Sequence, residues 1–246
     1  MIERTIDIAT GEGAVTTFIC HPALGGPHPL IIFCMDAPGI REELRDMVRR
    51  LASGGYYVML PNLYYRAGVF ELGPYLGTAD PARRERLLAL MDDLSIAMVM
   101  RDTDALLAFA ETDDAVSKGP AGVVGYCMSG QFAINAAARH PQKFAAAASI
   151  YGVRLVTEAA DSPHRIAAQA GAELYFACAE TDQWAPLPMV ESLKASLEAA
   201  QVNAKVEIYS GVEHGFAFPQ RPAYDRDAAE RHWERLFALF ARRLHP

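Results

Sequence analysis

Residues 121–130 read AGVVGYCMSG, a short apolar run that ends on a cysteine and leads directly into QFAINAAARH. The run has the length and apolar character of a strand buried on both faces, and the segment after it has helical patterning. Cys127 therefore stands where a strand turns sharply into a helix. A thiol in that place is either a small hydrophobe filling the core or an exposed nucleophile held at a helix N-terminus. The rest of the chain has to separate the two readings.

Working outward, strand-like and helix-like segments alternate on both sides of this turn. Downstream come FAAAASIYG, ELYFACA, the helical LPMVESLKASLEAA, the strand KVEIYS and a last helix with Ala229, Trp233, Leu236, Phe237 and Phe240 on one face. Upstream lie LIIFCM (30–35), a helix with Leu44, Met47, Val48 and Leu51 at helical spacing, and the strand YYVMLP. At the start, TIDIAT and AVTTFIC alternate apolar and polar residues across the turn at Gly11 to Gly13, which predicts an antiparallel hairpin. Helical pattern also runs from Pro81 to about Ala110, with a break near Asp92 and Asp93. The expectation is one α/β domain over residues 1–246: a mostly parallel sheet of about eight strands, helices on both faces and the hairpin at one edge. The irregular Tyr-rich stretch 62–78 is long for a connection, which fits a segment lining a site.

Composition narrows the function. Hydrophobic residues make up 51% and charged residues 22% of the 246, as in a globular protein with a sizeable core. The net charge of −7, from 30 acidic and 23 basic residues, argues against a nucleic-acid partner. No apolar run is long enough to span a bilayer, and the first residues lack the pattern of a secretory signal, so a cytoplasmic location without membrane attachment is expected. The four cysteines, Cys20, Cys34, Cys127 and Cys178, form no CxxC pair, and no histidine pairs with acids at ligand spacing. Neither metal nor cofactor is expected. Arg83, Arg84 and Arg86 cluster with acidic residues interleaved, as on a solvated helix face.

In a parallel sheet, reactive side chains gather where strands end. Four polar residues meet that condition: Asp36 after LIIFCM, Cys127 after AGVVGY, Asp182 after ELYFACAET and His214 after KVEIYSGVE. Taken singly, Cys127 reads as core filler and His214 as a loop residue about as readily as catalytic ones, and Asp182 reads more readily as a turn or cap residue. Together they supply a nucleophile, an acid and a base in the chain order of α/β-hydrolases. Gly125 and Ser129 are small where a nucleophile elbow needs room, and the amide of Met128 falls where it would face an oxyanion, with that of Ala37 as a second donor. Glycines flank His214 at 211 and 215.

These residues resemble the dienelactone hydrolases, cysteine-dependent members of the α/β-hydrolase superfamily. GYCMSG is similar to that family's G-Y-C-x-G-G elbow, ETDQWAP to its segment around the acid, and GVEHGF to its histidine segment. CMDAPGI and PNLYYR also look like family stretches, and the likeness runs from about Pro29 to Phe240. The resemblance implies Cys127 as nucleophile, His214 as base, Asp182 as its orienting partner, and Ala37 and Met128 as the oxyanion hole. It also implies a role in thiol activation for the acidic residue at Asp36, where the shorter aspartate replaces the usual glutamate and keeps an electrostatic part. The family's arginine four residues after the histidine is here Phe218, with Arg221 close by and Arg83 or Arg84 matching a second arginine. Tyr64, Arg83 and Phe218 are the expected pocket residues, with Tyr65 and Phe70 as further apolar candidates. The implied activity is ester or lactone hydrolysis through a thioester acyl-enzyme, a dienelactone-type lactone included. The alternatives are a carboxylesterase, thioesterase or activated-phosphoester hydrolase on the same residues, or a non-catalytic binding module. A small molecule is the expected partner, and the chain is read as monomer or homodimer.

Overall fold

The computed structural model describes residues 1–73 and 80–244. Eight strands form one sheet in the order β1-β2-β4-β3-β5-β6-β7-β8. β1 (Ile2–Thr10) and β2 (Gly13–His21) form the antiparallel hairpin, and β2 pairs antiparallel with β4 (Tyr57–Pro61). The remaining pairs are parallel: β3 (Leu30–Cys34) with β4 and with β5 (Ala121–Tyr126), then β6 (Phe144–Ile150), β7 (Glu173–Thr181) and β8 (Ala204–Glu213). The central β3, β4 and β5 are buried at every position, which explains their unbroken apolar runs.

Helices α1 (Glu42–Ser53), α2 (Pro81–Asp92), α3 (Ile96–Thr112), α4 (Gly130–Arg139), the short α5 (Pro163–Ile166), α6 (Leu187–Ala199) and α7 (Arg226–Leu244) fill the connections. The break anticipated near Asp92 is real, and its cause is local. α3 restarts with Ser95 as N-cap, its hydroxyl accepting from the Met98 N–H at 3.2 Å. α2 begins in the same way, with Asp80 accepting from the Arg83 N–H and Pro81 in the first turn. α7 lies so close over β5 that a Cβ on Gly122 would come within 2.7 Å of the Phe240 ring. Of the irregular stretch 62–78, residues 74–78 lie outside the described residues, and Tyr65–Ala67 form a single 3₁₀ turn.

The strand order fixes where a site belongs. From β3 the chain leaves to one side, through α1 to β4, and returns across the sheet to β5 on the other side. The two connections diverge at the carboxyl ends of β3 and β5, which is where open parallel sheets leave a crevice. Asp36, Ala37 and Cys127 are the residues placed there.

Candidate active site

Cys127 opens a 3₁₀ turn, Cys127–Ser129, that joins β5 to α4. Its φ of 53° lies in the left-handed region that non-glycine residues avoid, a strain of about 1–3 kcal/mol that the surrounding structure has to hold. The neighbours show how it is held. A Cβ on Gly125 would sit 2.0 Å from the Ser129 carbonyl oxygen, so the elbow closes only on a glycine there. A Cβ on Gly130 would sit 2.5 Å from Gly152 Cα, so α4 packs directly on the chain after β6. Ser129 turns inward, its hydroxyl donating to the Met35 carbonyl and pinning the elbow to the end of β3.

Two other strand ends converge on this turn. Asp182 follows β7, and its Oδ1 accepts the backbone N–H groups of Trp184 (2.8 Å) and Ala185 (3.0 Å). Its Oδ2 is thereby aimed at His214 Nδ1, 2.7 Å away. His214 follows β8, where Gly215 at φ 96° turns the chain; a Cβ there would also strike Arg221. The imidazole presents Nε2 to Cys127 Sγ at 3.1 Å. Cysteine, histidine and aspartate thus form one hydrogen-bonded row.

The electrostatics set this thiol apart. All four cysteines are free and buried. Burial pushes the thiol of Cys20 up to about 11 and those of Cys34 and Cys178 to about 12. Cys127 moves the other way: burial opposes ionisation, but the His214 ring and the Arg221 guanidinium outweigh it and hold the thiol below its ordinary value. Burial alone would lower His214, yet the Cys127 sulfur and the Asp182 carboxylate raise it to about 9. The two shifts belong to one coupled pair, in which each group favours the charged form of the other.

A cleft of about 490 Å³ opens over Cys127 and His214. Ala37, Pro38, Val153, Trp184 and Arg221 line it, together with Arg83, Arg84, Leu87, Leu88 and Met91 of α2. Arg83 therefore lines the cleft, as does Arg84, so the face of α2 read as solvated from sequence borders the cleft instead. The other two expected pocket residues stand behind the wall. Tyr64 is buried, its hydroxyl donating to the Ala37 carbonyl at 2.7 Å and lying 3.3 Å from Met128 Sδ, so it braces the two segments whose amides were expected to face an oxyanion. Phe218 is fully buried with its ring between the guanidiniums of Arg41 and Arg221, 5.0 and 4.9 Å from its centroid. Tyr65 points elsewhere, to Thr10 and Asp102, and Phe70 is half exposed.

Asp36 is fully buried, and both its oxygens are taken by arginines: Arg41 at 2.6 and 3.1 Å, and Arg221. Among the described residues, the hydrogen-bond partner of Cys127 Sγ is His214, not Asp36. Two residues here were missed by sequence reasoning. Arg41, the residue that precedes α1, carries no sequence signal of its own. Tyr151, at φ 37°, packs its ring 5.0 Å from His214 with a buried hydroxyl that has no partner among the described residues. Its only sequence signal is its place at the end of β6.

This fold with this row of residues at its strand ends defines a hydrolase of the α/β-hydrolase class. The comparisons with known proteins agree. The family model described as "Dienelactone hydrolase family" matches residues 15–244. A Synechocystis sp. protein named "Putative carboxymethylenebutenolidase" is 30% identical over 230 residues, covering 92% of this chain and 91% of its own. A protein of the same name from Methylorubrum extorquens is 28% identical, covering 96% of this chain and 79% of its own. A crystal structure titled "Putative Dienelactone Hydrolase" from Klebsiella pneumoniae superimposes with a TM-score of 0.84 at 26% identity over 98% of both chains. The chain belongs to the dienelactone hydrolase family.

Proposed function

We propose that this enzyme hydrolyses a carboxylic ester or lactone by nucleophilic catalysis at Cys127. One observation carries the reading: His214 lies between Cys127 Sγ (3.1 Å) and Asp182 Oδ2 (2.7 Å) at the floor of the cleft. The Cys127 thiolate adds to the carbonyl carbon, and the carbonyl electrons move onto oxygen. The amides of Met128 and Ala37 receive that oxyanion, and each such donor is worth about a hundredfold or more in rate. Collapse of the intermediate expels the alkoxide, which takes the proton from His214 Nε2 and leaves a thioester on Cys127. His214, now neutral, removes a proton from water, which attacks the thioester and regenerates the pair. Asp182 fixes Nδ1–H throughout, so that Nε2 is the atom that exchanges the proton.

The cleft also selects substrates. Leu87, Leu88, Met91 and Val153 provide an apolar wall, while Arg83, Arg84 and Arg221 place positive charge around it. An ester or lactone with an apolar body and an anionic substituent fits that distribution, a carboxylated dienelactone among them. The test is hydrolysis of p-nitrophenyl acetate by wild type and Cys127→Ala, followed by paired lactones with and without a carboxylate. Activity lost in the variant and a preference for the carboxylated lactone support the reading; equal activity in both proteins removes it.

A further inference from the structure

Three consecutive residues after β6 touch both Cys127 and His214. Tyr151 lays its ring against the His214 imidazole, the centroids 5.0 Å apart. Gly152 packs on α4, where a Cβ would come within 3.1 Å of Gly130 Cα and 2.1 Å of the Ser149 hydroxyl oxygen. The Val153 N–H donates to the Cys127 carbonyl at 3.1 Å. The segment is tied to the sheet as well, the Tyr151 N–H donating to the Ala177 carbonyl of β7 at 2.6 Å. At φ 37° Tyr151 occupies the left-handed region, which a bulky side chain enters only where its surroundings impose it. Its hydroxyl is buried without a partner among the described residues. Both features are unfavourable in themselves. What the site gains is the ring.

The imidazole needs such a support. Asp182 at Nδ1 and Cys127 at Nε2 hold it along one line and leave the ring free to swing about that line. The loop that carries it has little stiffness of its own, with glycines at φ 75° and 96° at positions 211 and 215. Towards solvent His214 borders the cleft, its side chain 12% exposed. Tyr151, fully buried, is its contact on the protein side. The Tyr151 ring is wedged in turn by Phe216, edge-on at 5.2 Å, and by Tyr126 at 6.0 Å. Tyr126 immediately precedes the nucleophile and Phe216 lies two residues after the base, so the same ring is locked by the chain at both ends of the pair.

We propose that Tyr151 is a positioning residue for His214: its ring holds the imidazole in the orientation that directs Nε2 at Cys127 Sγ, and the segment 151–153 sets the spacing of the two by gripping both. The ring carries this role and the hydroxyl does not. The proposal deepens the reading of His214 as the base and rests on it. Tyr151 acts through His214.

The experiment combines the kinetics of p-nitrophenyl acetate hydrolysis with a crystal structure of Tyr151→Leu. His214 serves in acylation and in deacylation, so displacing it slows both steps together. The burst rate and the steady-state kcat of Tyr151→Leu should each fall about ten- to hundredfold, with KM within about twofold of wild type. In the crystal the gap from Nε2 to Sγ should lengthen from 3.1 Å to more than about 3.5 Å, or the imidazole divide between two rotamers. Tyr151→Phe keeps the ring, so its kcat should stay within about twofold of wild type. Its urea midpoint should not fall, since the change removes a buried hydroxyl that has no partner. If Tyr151→Leu does not fold, Tyr151→Met, which refills the space with a flexible chain and no ring, takes its place. A merely structural role would lower the urea midpoint of the ringless variant and leave kcat and the Nε2 to Sγ gap unchanged, and that result overturns the proposal. A Phe variant about tenfold slower than wild type also overturns it, by giving the role to the hydroxyl. The gap is measured without an ester, so hydrolysis that survives Cys127→Ala would defeat the functional reading and leave the structural result separately readable.

Discussion

Replacing Asp182 by Asn changes one charge and almost no volume, and the structure says which way the new amide must point. Two backbone N–H groups, of Trp184 and Ala185, are fixed by the turn into α6 and both need the oxygen now at Oδ1. The Asn carbonyl takes that place, so its NH₂ faces His214 Nδ1. Nδ1 must then accept, the ring proton moves to Nε2, and the atom 3.1 Å from Cys127 Sγ becomes a donor unable to receive the thiol's proton. The electrostatic part follows from His214, raised from 6.5 to about 9, a stabilisation of the imidazolium of roughly 3 kcal/mol shared by the sulfur and Asp182. A share of about 2 kcal/mol for the carboxylate is about thirtyfold in rate, in line with a charge-assisted hydrogen bond. The wrong tautomer adds to this, and the same exchange in Ser-His-Asp enzymes costs about 10⁴ in kcat. The expected loss in kcat for p-nitrophenyl acetate is therefore about 10³–10⁴. Stability in urea should fall by less than about 1 kcal/mol, because the two N–H groups keep their acceptor. Asp182→Ala strands both and should cost about 2 kcal/mol or more. Asp182→Asn activity within tenfold of wild type would refute the reasoning, as would a stability loss equal to that of the Ala variant.

Two further outcomes test other parts of the account. Tyr64→Phe removes the hydroxyl that donates to the Ala37 carbonyl, so kcat should drop about three- to tenfold with KM nearly unchanged; an altered KM with an intact kcat would place Tyr64 in substrate binding instead. Glu207 on β8 is raised by burial but lowered more strongly by Arg235, Tyr175 and Arg231, to about 2. A folded-state value below the ordinary 4.5 means its contribution is complete above about pH 4.5 and lost as pH falls through about 2. With both arginine heads partly in water, Glu207→Gln should cost on the order of 1–2 kcal/mol at pH 7 and progressively less towards pH 2, read by urea unfolding at both; an equal loss at the two pH values would contradict the assignment.

Much of the fold is legible in the chain because periodicity and punctuation agree. The doubly buried strands carry unbroken apolar runs, Ser95 and Asp80 cap the helices that follow them, and Gly125 sits where the elbow leaves no room for a Cβ. Cys127, Asp182 and His214 could be selected because each directly follows a strand, and the sheet brings strand ends together whatever their separation in sequence. What stayed hidden depends on orientation. Phe218 and Tyr64 are aromatic and near the site in sequence, but whether a ring faces a cleft or supports it is decided by packing with distant residues such as Arg41 and Ala37. The charges of α2 look solvated because its own sequence does not show that Cys127 and His214 border the same cleft. Arg41 is hidden for the same reason: a buried arginine is recognisable only once Asp36 and Glu43 are seen on either side of it.

The central claim is that the carbonyl group of the substrate becomes bonded to the sulfur of Cys127. Intact-protein mass spectrometry after rapid mixing with p-nitrophenyl acetate and acid quenching, followed by peptide mapping, measures this directly. The account predicts one added acetyl group on the peptide containing Cys127, accumulating in wild type and absent from Cys127→Ala. Turnover without any acyl adduct on that peptide, or an adduct that persists on another residue in the variant, would contradict it.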